Sequence, residues 1–427
     1  MRPGLAAALL GGAALAGVAA VVGGATAQTV DVERPRTLVV GTPTGPGARA
    51  DRVDVARTGS TATLLPAGGL RAEWRFATGA QLEVTPLVDS RGTTYVVGTR
   101  GEVVAIARDG SERWRASTGA MQPGPAALLS DDTLVFVDVT GDAVALRAAD
   151  GSVRYKTRFG RSGATRAAPL PLDDGGVVVA TSRELAALDL EGHERARTTL
   201  PEPASGPLVA ALGRVAVVTA GGVVWTWVPG AAEVTRVASF GSAVEDGAAL
   251  VDERTLVAVS AGRTHLTAVD LVRGTSTTRA VAPAGLWLGP PATRDGRTFA
   301  LLLAPTGTLA LGIDATGAET MRALLAMHPP PVALDGGPAA LEARPHAAPL
   351  VDAAGTLAFA TPEGAVGVVA RGVVDVLPDA CAPSTSPGRA PAVTLAPLGP
   401  GGGGGGGGAM IAACRSGTVL ALRGAAR

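Results

Sequence analysis

The sequence predicts an all-β protein: an eight-bladed β-propeller of four-stranded antiparallel blades. Three observations lead there. A short apolar run opened by Pro or Ala recurs at Pro86, Pro125, Pro169, Pro207, Ala248, Pro291, Pro349 and Pro391, with one long step, from Pro291 to Pro349. Each step holds four β-rich runs separated by turn residues. An aromatic signature, Trp74-Arg75, returns one period later as Trp114-Arg115 and, more weakly, after a second period as Tyr155-Lys156.

The first blade shows the pattern in order. Pro86-Leu87-Val88 runs into turn residues 89–92, and Thr94-Tyr95-Val96-Val97 runs into a turn around Gly98 and Gly101. Residues 103–106 lead to Asp109-Gly110, a hairpin dipeptide, and Glu112-Arg113-Trp114-Arg115 carries the chain to the next anchor. Asp150-Gly151, Gly175-Gly176 and Asp295-Gly296 mark equivalent turns. Helical periodicity is nearly absent; its one candidate is residues 319–327, inside the long step.

The last blade is one strand short. After Pro391 only three runs remain, 392–398, 409–413 and 418–422, while one strand of outer type, 73–77, precedes the first anchor. The expectation is that 73–77 pairs with 418–422, completes the last blade and closes the ring, which removes exposed strand edges. Seven blades is the alternative, should the unit at Ala248 or at Pro391 not be a blade.

Residues 1–27 read as a signal peptide. Arg2 precedes an unbroken run of Ala, Leu, Gly and Val from 5 to 22, and Ala25-Thr26-Ala27 offers the small residues of a cleavage site. An uncleaved N-terminal anchor is the competing reading. The domain reading is therefore a signal peptide over 1–27, an extended segment over 28–72 and the propeller over 73–427. A periplasmic or secreted protein follows, with no stable membrane span once the leader is cut. No Cys lies near the cleavage point to carry a lipid.

Length alone, 427 residues, suggests two or three domains, but the repeat overrides that prior. The balance of 37 Lys+Arg against 37 Asp+Glu excludes a general nucleic-acid binder. Two cysteines exclude a disulfide-scaffold protein and a Cys-only zinc site.

These runs resemble the PQQ-like (quinoprotein and BamB-type) propeller repeat. Val96-Val97-Gly98 through Ala105 to Trp114 match its unit well; residues 185–190 and 309–317 match moderately. Arg57-Thr58-Gly59 looks like the lead-in common ahead of the first blade. The likeness spans roughly residues 52–425, densest in the first two blades. It implies an eight-bladed ring and one of two functions: a PQQ- and calcium-dependent dehydrogenase, or a non-enzymatic envelope factor of the BamB type.

The dehydrogenase branch implies adjacent cysteines, a Trp platform, carboxylate and amide calcium ligands and a catalytic Asp. Cys381 and Cys414 are far from adjacent, and the one Trp pair, Trp225 and Trp227, reads as packing. No Asp-x-Asp-x-Asp loop, His pair with zinc spacing, G-x-S-x-G elbow or phosphate loop is present. The polyglycine run 401–408 reads as a hairpin loop. The expectation is no enzyme, no cofactor and no metal.

As the only cysteines of an exported chain, Cys381 and Cys414 are read as a disulfide stapling the last two blades; two separate buried thiols is the alternative. Positions three before each anchor should ring one mouth of the channel: Glu83, Gln122, Arg166, Ala204, Glu245, Leu288, His346 and Gly388. A long insertion, 320–345, is unusually apolar for a loop, with Met321, Leu324, Leu325, Met327 and Leu334. The charged and polar rim positions Glu83, Gln122, Arg166, Glu245 and His346, with Met321, Leu324 and Met327, form the candidate binding set. The function expected is an exported, monomeric protein-interaction scaffold of the cell envelope. A BamB-like assembly factor and a degenerate quinoprotein oxidoreductase are the alternatives.

Overall fold

The computed structural model describes residues 48–424 apart from 51, 122, 131, 162–166, 283–284, 306, 327–347, 362–363, 382–392 and 400–407. The expected signal peptide, residues 1–27, and Gln122, Arg166, Met327 and His346 lie outside the described residues. Eight antiparallel up-and-down sheets follow one another along the chain. In blade one, Leu87–Val88, Thr94–Val97 and Glu102–Ile106 are almost wholly buried, whereas Glu112–Ser117 alternates exposed and half-buried residues. The first strand is innermost and the fourth outermost. The middle strands are largely apolar, with polar residues mostly at their ends, because a neighbouring blade covers each of their faces.

The units at Ala248 and Pro391 are both complete blades. Val244–Asp252, Thr255–Ser260, His265–Asp270 and Ser276–Val281 make blade five. Val393–Leu398, Ala409–Cys414 and Thr418–Arg423 make blade eight, and Arg71–Ala77 lies as its fourth strand. Ala77 stands opposite Thr418 and Trp74 opposite Ala421, with a bulge between Ala72 and Trp74.

Eight apolar clusters fill the interfaces between consecutive blades. The one at the seam joins Ile411 and Val419 of blade eight to Val96 and Ile106 of blade one, with Trp74 and Phe76 packed against it. The two repeating signatures prove to be halves of one contact. Trp74 Nε1 donates to the Arg108 carbonyl and Trp114 Nε1 to the Ala148 carbonyl, each at 2.9 Å. Each indole covers the turn glycine of the next blade. A Cβ on Gly110 would lie 2.6 Å from the Trp74 ring, and one on Gly151 would lie 2.5 Å from that of Trp114. Both glycines hold a positive φ, +88° and +73°.

One expectation fails. Of the helix candidate 319–327, Glu319–Ala326 is instead the outer strand of blade six, paired with Gly307–Ile313. Ala323 and Leu325 are buried while Leu324 faces out, 45% exposed. Met321, Leu324 and Leu325 therefore belong to a blade and not to the connecting loop. A short apolar run fits both periods, and strand pairing decides between them.

The seam generates a prediction. Trp74→Ala removes a half-buried indole and its hydrogen bond and should lower unfolding free energy by about 2–3 kcal/mol in urea titrations. Gly110→Ala should destabilise as well, since it forces a side chain into a positive-φ turn under the indole. Unchanged midpoints for both variants would show that this contact does not hold the seam.

Candidate functional site

Each inner strand of a propeller turns one edge toward the axis, and its peptide groups need partners there. Residues 48–65 supply them. The segment runs around the axis at the face that carries each blade's first-to-second turn, here the turn face. Ala48 and Val88 exchange both backbone hydrogen bonds, at 3.0 and 2.8 Å. Leu128 N donates to the Arg49 carbonyl at 2.7 Å, and Ala210 N to that of Val55 at 2.9 Å. Leu250 N, Thr293 N and Val351 N donate to the carbonyls of Ala56, Thr58 and Gly59 at 3.0, 2.7 and 2.9 Å. Ser60–Thr61 then adds a parallel strand to the inner edge of blade seven, Leu350–Asp352.

Blade three is reached by a side chain. Arg57 is fully buried. Its Nη2 donates to the carbonyls of Pro169 at 2.8 Å and Ala168 at 3.3 Å, and its Nε to that of Leu208 in blade four at 2.8 Å. One segment thus bonds seven of the eight inner strands. Close fit shows in the backbone: Arg52, Val53 and Arg57 hold φ values of +54°, +78° and +58°. For a β-branched residue such as Val53 that conformation is strained. At Gly59, φ is +64° and a Cβ would sit 2.7 Å from the Pro349 carbonyl oxygen.

Asp54 folds the segment on itself. Its carboxylate accepts from Thr58 N at 3.0 Å and from the Thr58 hydroxyl. Burial pushes this acid up to about 6, against the opposing pull of the Thr58 hydrogen bonds and the Arg57 charge. A raised acid in a cleft can signal catalysis, but here both oxygens serve the segment's own turn.

The opposite face carries the blade-to-blade connections. Glu83 sits there at the seam, ion-paired with Arg415 and accepting from Gln81 Nε2 at 2.6 Å. Glu245 sits at blade five, where Arg263 Nε meets its carboxylate at 2.8 Å and Arg263 Nη2 meets that of Asp246 at 2.8 Å. Arg52, reaching up from the axial segment, donates to the Asp246 carbonyl. The two rim carboxylates belong to blades half a ring apart. They are not brought together, and each is spent on an arginine. Met321 and Leu324 lie on the outer strand of blade six. The axial segment was missed by sequence reasoning, which left 28–72 without a role; its signal was Arg57-Thr58-Gly59.

Cys381 and Cys414 form a disulfide with Cα atoms 5.5 Å apart, within the cluster that joins blades seven and eight. It ties the connection leaving blade seven to the second strand of blade eight.

The residues present do not fit the quinone chemistry of the dehydrogenase branch. The cysteines bridge two blades across a sequence separation of 33 instead of standing adjacent. Trp227 is buried and Trp225 half-buried between blades three and four, and Trp227 Nε1 donates to the Ala231 carbonyl at 2.9 Å. Among the described residues no group of three His, Cys, Asp or Glu side chains is placed to hold a metal.

This geometry can be tested at Asp54 and at the disulfide. With Asp54 raised above its usual 3.8, the stability contributed by its neutral form is complete below about pH 3.8 and is lost as pH rises through about 6. Asp54→Asn removes that dependence. Between pH 4 and pH 8 its unfolding free energy should gain about 2–3 kcal/mol on the parent; parallel pH profiles would refute the assignment. Replacing both cysteines by serine opens the loop they close and should cost roughly 3–4 kcal/mol, with a linked Cys381–Cys414 peptide in the unreduced parent's mass map.

Comparison with known proteins agrees with the ring. The family model described as outer membrane protein assembly factor BamB matches residues 18–165 and, overlapping, 99–227. No curated protein sequence matches the chain significantly. Among solved structures, BamB from Moraxella catarrhalis superposes with a TM-score of 0.56 at 15% identity, covering 83% of this chain and 97% of its own. A europium-containing methanol dehydrogenase gives 0.62 at 11%, covering 88% and 98%. The quinohemoprotein alcohol dehydrogenase from Comamonas testosteroni gives 0.60 at 12%, covering 91% and 82%. Identities this low speak to fold alone. The repeat, the eight blades and the family-model match over residues 18–227 together support a PQQ-like β-propeller family for this chain.

Proposed function

We propose that the protein is a non-enzymatic propeller of the cell envelope that binds protein partners on its connection face. The observation that carries this reading is the axial segment. At the turn-face mouth residues 48–50 and 52–61 are hydrogen-bonded to the inner strands, so this reading assigns partners to the connection face. The BamB description of the matching family model supports a protein partner, and an assembly-factor role of that kind is the specific form we favour. The leader over 1–27 supports export to the periplasm or beyond. Among the described residues no helix is long and apolar enough to cross a membrane.

The competing reading is a quinoprotein, favoured by the structural likeness to the two dehydrogenases. One experiment separates them. A photoreactive residue at Glu83 or Glu245 should yield discrete protein adducts in envelope preparations, and one at Glu112 or Glu194 on the outer strands should not. Purified protein given PQQ and calcium should show no shift in quinone absorbance, no rise in melting temperature and no alcohol-dependent dye reduction. Saturable PQQ binding with dye reduction would reverse the proposal; adducts at the outer strands alone would move the docking face.

A further inference from the structure

We propose that the turn-face mouth of the channel is a binding site for an extended, arginine-bearing peptide, and that the chain fills it with its own residues 48–65. This does not depend on the scaffold reading.

The contacts are those of a bound peptide. Six of the seven inner strands it reaches meet the segment through its main chain, and Ser60–Thr61 adds to a blade edge as an incoming peptide strand adds to a sheet. Recognition by side chain falls on three arginines: Arg49 donates to the Leu129 carbonyl of blade two, Arg52 to the Asp246 carbonyl of blade five, and Arg57 is the most deeply buried of the three. Arg57 is fully buried, and its fork spans carbonyls of two blades, Pro169 in one and Leu208 in the next. A desolvated arginine at the centre of a contact surface, ringed by main-chain bonds, is the usual form of a binding hot spot. Planarity matters here, because an ammonium offers no fork to bridge both blades.

The segment's one strand, Ser60–Thr61, is a parallel fifth strand added to the four of blade seven, and on its C-terminal side the segment joins the ring through residues 66–70, where Gly68 and Gly69 hold φ values of +142° and +60°. The backbone conformation of Val53 is one that the surroundings impose. A peptide held by its surroundings and joined to the ring by a short glycine-bearing link has the arrangement of a ligand tethered to its own site.

The test keeps the full chain. A protease recognition sequence is inserted in the 66–70 link, the folded protein is cut, and the product is followed by gel filtration and native mass spectrometry. We expect the N-terminal piece to stay with the ring. A fluorescent synthetic peptide of residues 48–65 should then exchange into it saturably. Peptides carrying Arg57→Ala or Arg57→Lys should compete on the order of 30- to 100-fold more weakly. The proposal is overturned if the piece leaves an intact ring that binds no peptide, or if cutting unfolds the ring, which would make the segment a structural part and not a ligand. It is equally overturned if the Arg57→Ala peptide competes as well as the parent.

Discussion

Eight sheets arranged about an axis leave eight inner edges with peptide groups that no blade can satisfy, and residues 48–65 make hydrogen bonds to seven of those edges. Buried, unpaired peptide groups each cost about 1–3 kcal/mol. Water could serve them in an open channel. Here a single segment serves them instead, with carbonyls 48, 49, 55, 56, 58 and 59 meeting inner-strand N–H groups and Arg57 meeting the carbonyls of blades three and four. A segment that bonds seven blades couples them all, so the ring does not behave as a row of independent repeats.

The seam obeys a second constraint. A closed ring needs its first and last blades to recognise each other, and blade eight takes strands from both ends of the chain. Arg71–Ala77 pairs with Thr418–Arg423 on one side, while Trp74 caps the Gly110 turn of blade one on the other. The same residue type does the same work between blades one and two, where Trp114 covers Gly151. The Cys381–Cys414 bridge lies one interface away. The crosslink and the indole contact thus flank the blade whose strands lie farthest apart in sequence, where chain connectivity helps least.

Geometry also narrows the chemistry. Mixed charge at the rim first suggests a site, yet Glu83 and Glu245 stand on blades half a ring apart and each is paired with an arginine. The most perturbed acid, Asp54, sits inside a turn of the axial segment. What remains is a ring whose turn face carries a hydrogen-bonded axial segment and whose connection face carries paired charges.

The repeat was legible from residue order alone. Anchors such as Pro86 and Pro125, Asp-Gly turns and Trp-Arg signatures are local, and a regular period holding four β runs admits few architectures. Residue order also placed both cysteines in the last two blades. Whatever depends on which distant residues meet came only from the folded ring. Whether residues 319–326 coil or extend was settled by pairing with Gly307–Ile313, because a short apolar run satisfies both periods. The candidate site was barely legible. Arg57-Thr58-Gly59 stood out as a motif, but its role lies in the carbonyls of Pro169 and Leu208, far along the chain, and main-chain bonds of that kind leave no side-chain pattern to read.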